Sequence, residues 1–228
     1  MLNRRSFVTA AAAAAAASGD QPKSKLLMPS DQPDEFHLKL MWYNPVPPIN
    51  QQTWRLQLKG LLEKPQQIAL PQLRSLPQSK QSSRMKCVQC WSSRAQWGGF
   101  GFQSLLDMAK PLKTAKAVRI DCADKWYEYF TLESLLKPNV MFVLDLEGNP
   151  LPDKHGAPLR LLDPSRYGYK SAKLITSISF VAEGKGSMAC DIGPYYSADG
   201  TILAGYDTPL DLGGKTKRKI TGGEITDY

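Results

Sequence analysis

The chain has 228 residues with 29 Lys and Arg against 21 Asp and Glu, a net charge of +8, and that length suits one domain with a sizeable core or at most two small ones. Hydrophobic residues at 42% and charged residues at 22% are ordinary globular values. No apolar run reaches the ~18 residues of a membrane helix, so a helical membrane protein is excluded and a soluble mature protein is expected.

The first residues, MLNRRSFVTAAAAAAAASGD, pass from a basic start through Ala10 to Ala17 into small and polar residues, the plan of an export signal. Arg4 and Arg5 followed by Ser6, Phe7 and Val8 resemble the twin-arginine type, which carries proteins that have already folded. Residues 1–17 are read as this signal and the mature protein as periplasmic. Cleavage after Ala17 removes Arg4, Arg5 and no acid, lowering the charge from +8 to +6. A basic surface suits nucleic acid, an acidic membrane face, an anionic cofactor or an acidic partner; export argues against nucleic acid.

Residues 18–35 are polar and punctuated by proline, which predicts an extended arm. In TWRLQLKG, Trp54, Leu56 and Leu58 alternate with polar residues up to Gly60, a half-buried strand. FQSLLDMA places Phe102, Leu105, Leu106 and Met108 near helical period, and Pro111 limits the helix. Strands follow at AVRIDC, with Val118, Ile120 and Cys122 on one face, and at WYEYFTL, VMFVLDL and SISFVAE. Residues 36–182 therefore read as one β-rich α+β domain with few short helices. Residues 183–228 form a Gly-rich C-terminal extension whose basic run, Lys215 to Lys219, reads as solvated surface.

The stretch RMKCVQCWSSRAQWGGFGF sets Cys87 and Cys90 three positions apart. A redox dithiol wants its pair opening a helix, which lowers the first thiol's pKa, and WSSRAQWGG is a poor helix start. Structural zinc wants a second close pair or clustered histidines, whereas Cys122 and Cys190 lie far apart and His37 and His155 are the only histidines. Two buried thiols, or one thiolate ligating a soft or high-valent metal carried by a cofactor, remain open on these residues.

CVQCWSSRAQWGGFGFQSLL resembles the cofactor-ligating segment of the molybdopterin-dependent oxidoreductases of the sulfite oxidase superfamily, most closely the periplasmic methionine sulfoxide reductase catalytic subunits. Cys87, Val88, Trp91, Ser92, Trp97, Gly99 and Leu105 fall on that pattern. LPDKHGAPLRLLDPSRYGYKSAKLI, residues 151–175, and NPVPPINQQTWRLQLKG resemble two further segments of the family, in the right order. The resemblance runs from about Phe36 to Val181. It implies the sulfite oxidase molybdopterin-binding fold, a molybdenum–molybdopterin cofactor and Cys87 as the metal's thiolate ligand. It places Arg160, Lys173 and the backbone amides of Ser171 and Ala172 at the cofactor's anionic end, His155 at a pterin contact, and Cys122 near the metal. Tyr43 and Asn44 stand where many relatives carry cofactor-binding residues before Pro-Val-Pro, although the local sequence Met41-Trp42-Tyr43-Asn44 departs from theirs.

The activity implied is oxygen-atom transfer. Reduction of an S-oxide or N-oxide such as methionine sulfoxide is favoured over sulfite oxidation, because the family's Cys-Ala-Gly-Asn-Arg segment is replaced here by Cys-Val-Gln-Cys-Trp, which leaves Arg94 as the only nearby cation from that segment, and a dianion wants several arginines. Trp91, Trp97 and Tyr43 are the expected walls of a mostly apolar pocket. A monomer is expected, with no haem domain, supplied with electrons by a separate membrane-associated haem or cytochrome-type protein. Two readings outside this activity are a metal-free binding module and a thiol oxidoreductase built on Cys87 and Cys90.

Overall fold

The computed structural model describes residues 33–87, 92–192, 196–202, 206–207 and 218–219. The signal, all of the arm up to Gln32, Cys90, Trp91 and most of the basic run lie outside the described residues. Among those described are strands β1 (Arg55–Gly60), β2 (Gln66–Ala69), β3 (Ser79–Lys86), β4 (Ser92–Phe100), β5 (Ala117–Cys122), β6 (Tyr127–Thr131), β7 (Met141–Leu146), β8 (Asn149–Pro150), β9 (Arg160–Leu162), β10 (Ile175–Val181), β11 (Tyr206–Asp207) and β12 (Arg218–Lys219). The helices are α1 (Leu70–Arg74), α2 (Phe102–Ala109), α3 (Leu132–Leu135) and α4 (Met188–Ile192).

The first sheet has the order β2-β1-β10-β5-β6, with β1 and β10 parallel and the other neighbours antiparallel. The second runs β3-β4-β7, and both β8 and β9 pair with the far edge of β7. The main core lies between the sheets: Leu56, Val118, Ile120, Ile178 and Phe180 from the first meet Phe100, Phe142, Leu144 and Leu161 from the second. Helix α2 adds Phe102, Leu105 and Ala109, the face its periodicity predicts. Phe102 stacks on Phe142 at 6.0 Å and on Phe180 at 6.3 Å, so one ring joins both sheets.

The apolar run of β7 is explained by burial on both faces. Phe142 and Leu144 enter the main core, while Met141 and Val143 enter a second cluster with Met85, Ala95, Trp97 and Leu162. The Gly-Gly of the cysteine motif has a packing reason as well. The β4–β7 register shifts between Gly98 and Gly99, and a Cβ on Gly99 would run into the carbonyl of Phe142.

Two local expectations change. The stretch read as a poor helix start is, from Ser92 to Phe100, strand β4, whose alternation buries Ala95 and Trp97. WYEYFTL is not strand throughout. It ends at Thr131, whose hydroxyl accepts the Ser134 N–H at 3.1 Å and caps α3 from Leu132 onward. The arm reaches the domain before Phe36, since Asp34 and Glu35 are bound to Lys154 and His155.

Candidate active site

The β3–β4 hairpin is paired without interruption from Ser79↔Gly99 to Lys86↔Ser92, which holds Cys87 at its end. Cys87 is half-buried there and lines a cavity of about 290 Å³. Arg160 enters from the start of β9, and Ser171, Ala172 and Lys173 from the chain after a 3-10 turn at Gly168–Lys170. His155 comes from a second 3-10 turn, Asp153–His155, and Met41, Trp42 and Tyr43 from the segment ahead of β1. Three motifs distant in sequence thus meet at one cavity.

A close crossing fixes two of them. Gly156 has φ +103, and a Cβ there would stand 2.7 Å from the Lys173 Cβ; the Leu174 N–H donates to the Gly156 carbonyl at 3.1 Å. Lys173 then donates to the Met41 carbonyl and sits 3.6 Å over the Trp42 ring, whose Nε1–H donates to the Lys154 carbonyl at 3.0 Å.

The electrostatics of the cavity are unusual. Arg160 is 3% exposed: its Nη1 donates to the His155 carbonyl at 3.0 Å, its Nη2 lies 3.7 Å from Met85 Sδ, and its buried Nε has no partner. Among the described residues, neither Arg160 nor Lys173 makes a salt bridge. Burial brings Arg160 down to about 10, and burial followed by the Arg160 charge brings Lys173 down to about 7. Asp124 lines the same cavity and its charge favours protonated Lys173, but no carboxylate among the described residues forms a salt bridge with either cation. Buried cations left so are costly, and a bound anion would relieve both.

His155 is equally dry. Burial pulls it down to about 4, against a hydrogen bond of 2.6 Å between Nε2 and Asp34 Oδ2. Burial alone would raise Asp34, but hydrogen bonds from His155, the Phe36 N–H and Lys154 bring it below its usual range. At neutral pH the imidazole is uncharged and its Nε2–H donates to a carboxylate. Folded His155 titrates near 4 against an ordinary value of 6.5, so below pH 6.5 the unfolded chain takes up a proton that the folded one refuses. Stability from this group is full above pH 6.5 and is lost towards pH 4, by roughly 3 kcal/mol. Melting temperatures of His155→Asn should fall less steeply than wild type across that window; parallel curves would show that His155 is not the titrating group.

Several expectations need correction. Trp97 is no cavity wall: it is 1% exposed in the second cluster, donates to the Ser83 carbonyl at 3.1 Å and lies under the Arg160 guanidinium at 5.1 Å. Cys122 is not among the lining residues but on the buried face of β5 in the main core, its thiol pushed up by burial. Ser171 and Ala172 do line the cavity, yet their amides are taken by the carbonyls of Gly168 and Lys170, at 3.0 Å each. Asn44 is not a lining residue, and its buried Nδ2 has no partner, whereas Tyr43 lines the mouth at 56% exposure, edge-on to Trp126 at 6.4 Å. Trp91 lies outside the described residues.

Sequence reasoning missed Asp34, Trp42, Asp124, Trp126, Ile192 and Tyr196. The acidic pair Asp34-Glu35, complementary to Lys154-His155, was the one available signal; nothing local marks Ile192 or Tyr196.

Residues 43–188 match the family described as the oxidoreductase molybdopterin binding domain. The chain belongs to that family. It is 32% identical over 130 residues to the putative protein-methionine-sulfoxide reductase subunit YedZ1 of Azospira oryzae, covering 57% of this chain and 50% of that protein. It is 29% identical over 152 residues to the protein-methionine-sulfoxide reductase catalytic subunit MsrP of Campylobacter jejuni, covering 59% and 51%. The chain thus spans about half the length of these curated relatives. The sulfane dehydrogenase SoxCD of Paracoccus pantotrophus shares the fold, with a TM-score of 0.57 at 21% identity over 60% of this chain and 40% of that one.

Molybdenum–molybdopterin is the cofactor of this oxidoreductase domain, and the cavity fits it. Cys87 offers a soft donor for the metal, while Arg160 and Lys173, cations without a salt bridge among the described residues, suit the anionic end of the pterin. Among the described residues there is no cluster of three or more His, Cys, Asp or Glu able to hold a metal ion.

Proposed function

We propose that this domain reduces an S-oxide, methionine sulfoxide being the representative substrate, in the periplasm. The observation that carries the reading is the cavity where a thiol, Cys87, meets two buried cations, Arg160 and Lys173, that form no salt bridge among the described residues. Relatives named as protein-methionine-sulfoxide reductase subunits support the substrate class, and the twin-arginine pattern supports the compartment.

Cys87 would hold the molybdenum, and Arg160 and Lys173 the anionic end of the pterin. The bound cofactor supplies two-electron oxygen-atom transfer. The overall reaction takes one S-oxide, two protons and two electrons to a thioether and water. Tyr43, Trp42 and Trp126 give the cavity an aromatic side, which favours a neutral sulfoxide over a dianion and excludes water from the reacting bond. His155, neutral and fixed by Asp34, holds its position without adding charge. The electrons come from a separate redox protein at the membrane, a haem or cytochrome-type donor.

The test is purification from a host that makes the cofactor, with molybdenum by elemental analysis and pterin by fluorescence of the oxidised extract. Turnover of sulfoxides, N-oxides and sulfite is then followed with artificial electron donors and acceptors. Molybdenum, pterin and S-oxide reduction are expected together. Sulfite oxidation without S-oxide reduction would replace the substrate class, and absence of both metal and pterin would leave a binding module.

A further inference from the structure

The family match ends at residue 188, yet the cavity wall continues beyond it through Ile192 and Tyr196. These residues belong to a stretch that returns over the site and is anchored along its described length. Ser187 bridges to Glu128, and its hydroxyl donates to Glu128 Oε1 at 2.7 Å. Asp191 bonds the Tyr127 hydroxyl. Further on, the Tyr169 hydroxyl donates to the Ser197 carbonyl at 2.7 Å, the Tyr167 N–H to the Gly200 carbonyl at 2.8 Å, and the Ile202 N–H to the Ser165 carbonyl at 3.1 Å.

Glu128 joins three parts of the wall. It is fully buried and paired with the equally buried Lys170, and its Oε1 also accepts from Trp126 Nε1 at 3.0 Å. Trp126 lines the cavity, Lys170 adjoins the lining residues Tyr169 and Ser171, and Ser187 opens the stretch carrying Ile192. A buried ion pair is a weak source of stability but fixes geometry when every member is satisfied. Neither Glu128 nor Lys170 lines the cavity, so their effect on it passes through the residues they hold.

We propose that residues 187–192 and 196–202 form a substrate-selecting wall, with Ile192 limiting the bulk of the group carried by the S-oxide and Glu128 as the positioning residue that sets the wall's place. This rests on the S-oxide reading above. The shared domain would supply cofactor binding, and the stretch beyond it would decide which S-oxide fits. Ile192 is half-buried and lines the cavity that Trp42, Tyr43 and Trp126 also line, so its side-chain volume would trade against substrate volume.

The test compares dimethyl sulfoxide with methyl p-tolyl sulfoxide, in turnover and in binding followed by the fluorescence of the cavity tryptophans, on the molybdenum-loaded full chain. Ile192→Ala should tighten the bulky S-oxide about tenfold, the scale of one or two methylenes in an apolar pocket, and leave the small one within about twofold. Ile192→Trp should do the reverse. Ser187→Ala, which removes one anchor but keeps the Glu128–Lys170 pair, should raise amide exchange in residues 188–192 about tenfold and shift the ratio as Ile192→Ala does, at unchanged molybdenum content. Glu128→Gln combined with Lys170→Met, which removes both buried charges, should act likewise. A bulky-to-small ratio unmoved in both readouts, or exchange unchanged in the anchor variants, overturns the wall. If loaded wild type binds both S-oxides in a ratio set by residue 192 but reduces neither, the wall stands and the S-oxide reductase reading falls.

Discussion

Cys87→Ser is expected to keep its pterin and lose S-oxide reduction by a factor of about 10³ or more, equivalent to about 4 kcal/mol of barrier. The separation follows from where the parts sit. Cys87, the proposed donor to the metal, is at the end of the β3–β4 hairpin, whereas Arg160 and Lys173 lie on β9 and in the segment leading to β10. Serine offers a harder oxygen or no bond at all, and ligand identity tunes a metal's reactivity. Cys90→Ala should keep most of the activity and molybdenum, because a lone thiolate ligand needs no second thiol. Side-by-side activity, molybdenum and pterin contents check both variants. Equal loss in the two would return the dithiol reading, and loss of pterin from Cys87→Ser would mean that the thiol, not the cations, holds the cofactor.

Replacing Arg160 and Lys173 together by Met should yield a protein purified largely without cofactor. Each charge-assisted hydrogen bond is worth roughly 1.5–3 kcal/mol, so losing both weakens retention by a factor of about 10² to 10⁴. The same variant should melt no lower than wild type stripped of cofactor, since two buried cations without a salt bridge among the described residues are each replaced by an apolar side chain of similar reach. Molybdenum content and melting temperature of the stripped proteins are the measurements. Full occupancy in the double variant would contradict the anion-binding role, and a large drop in its stripped melting temperature would show that the cations serve the fold itself.

The parts of the fold read correctly from sequence are those with a single periodic signal. Leu56 and Leu58 alternate on β1, Val118, Ile120 and Cys122 on β5, and Phe102 and Leu105 recur on α2 because each element has one buried face. β7 read only as an apolar run because it is buried on both faces. β4 escaped because its signal is mixed: Trp97 and Ala95 go inward while Gly98 and Gly99 are there for close approach to β7. At the site, Cys87, His155, Arg160 and Lys173 were legible because they stand in motifs. Trp97 was misplaced because an aromatic in a motif does not say on which side of the cation it lies. Trp126 and Ile192 reach the cavity, and Asp34 reaches His155, only through tertiary contacts that no local window contains.

The parallel pairing of β1 with β10 sets Gln57 beside Ser177 and Gly60 beside Phe180. That contact spans most of the domain, and non-local strand pairing is slow because the entropy of closing the loop is paid before the contact rewards it. The first sheet cannot close until its last-made strand has left the ribosome. Arg160 lies just before that strand, and Lys173 is made barely ahead of it, long after Cys87. A nascent chain therefore carries the thiol and the pair of cations together only once it has been made as far as Lys173, just ahead of β10. Cofactor capture through Cys87, Arg160 and Lys173, as proposed, would then wait until the first sheet is almost complete, so that holding the pterin and closing the sheet fall together in time.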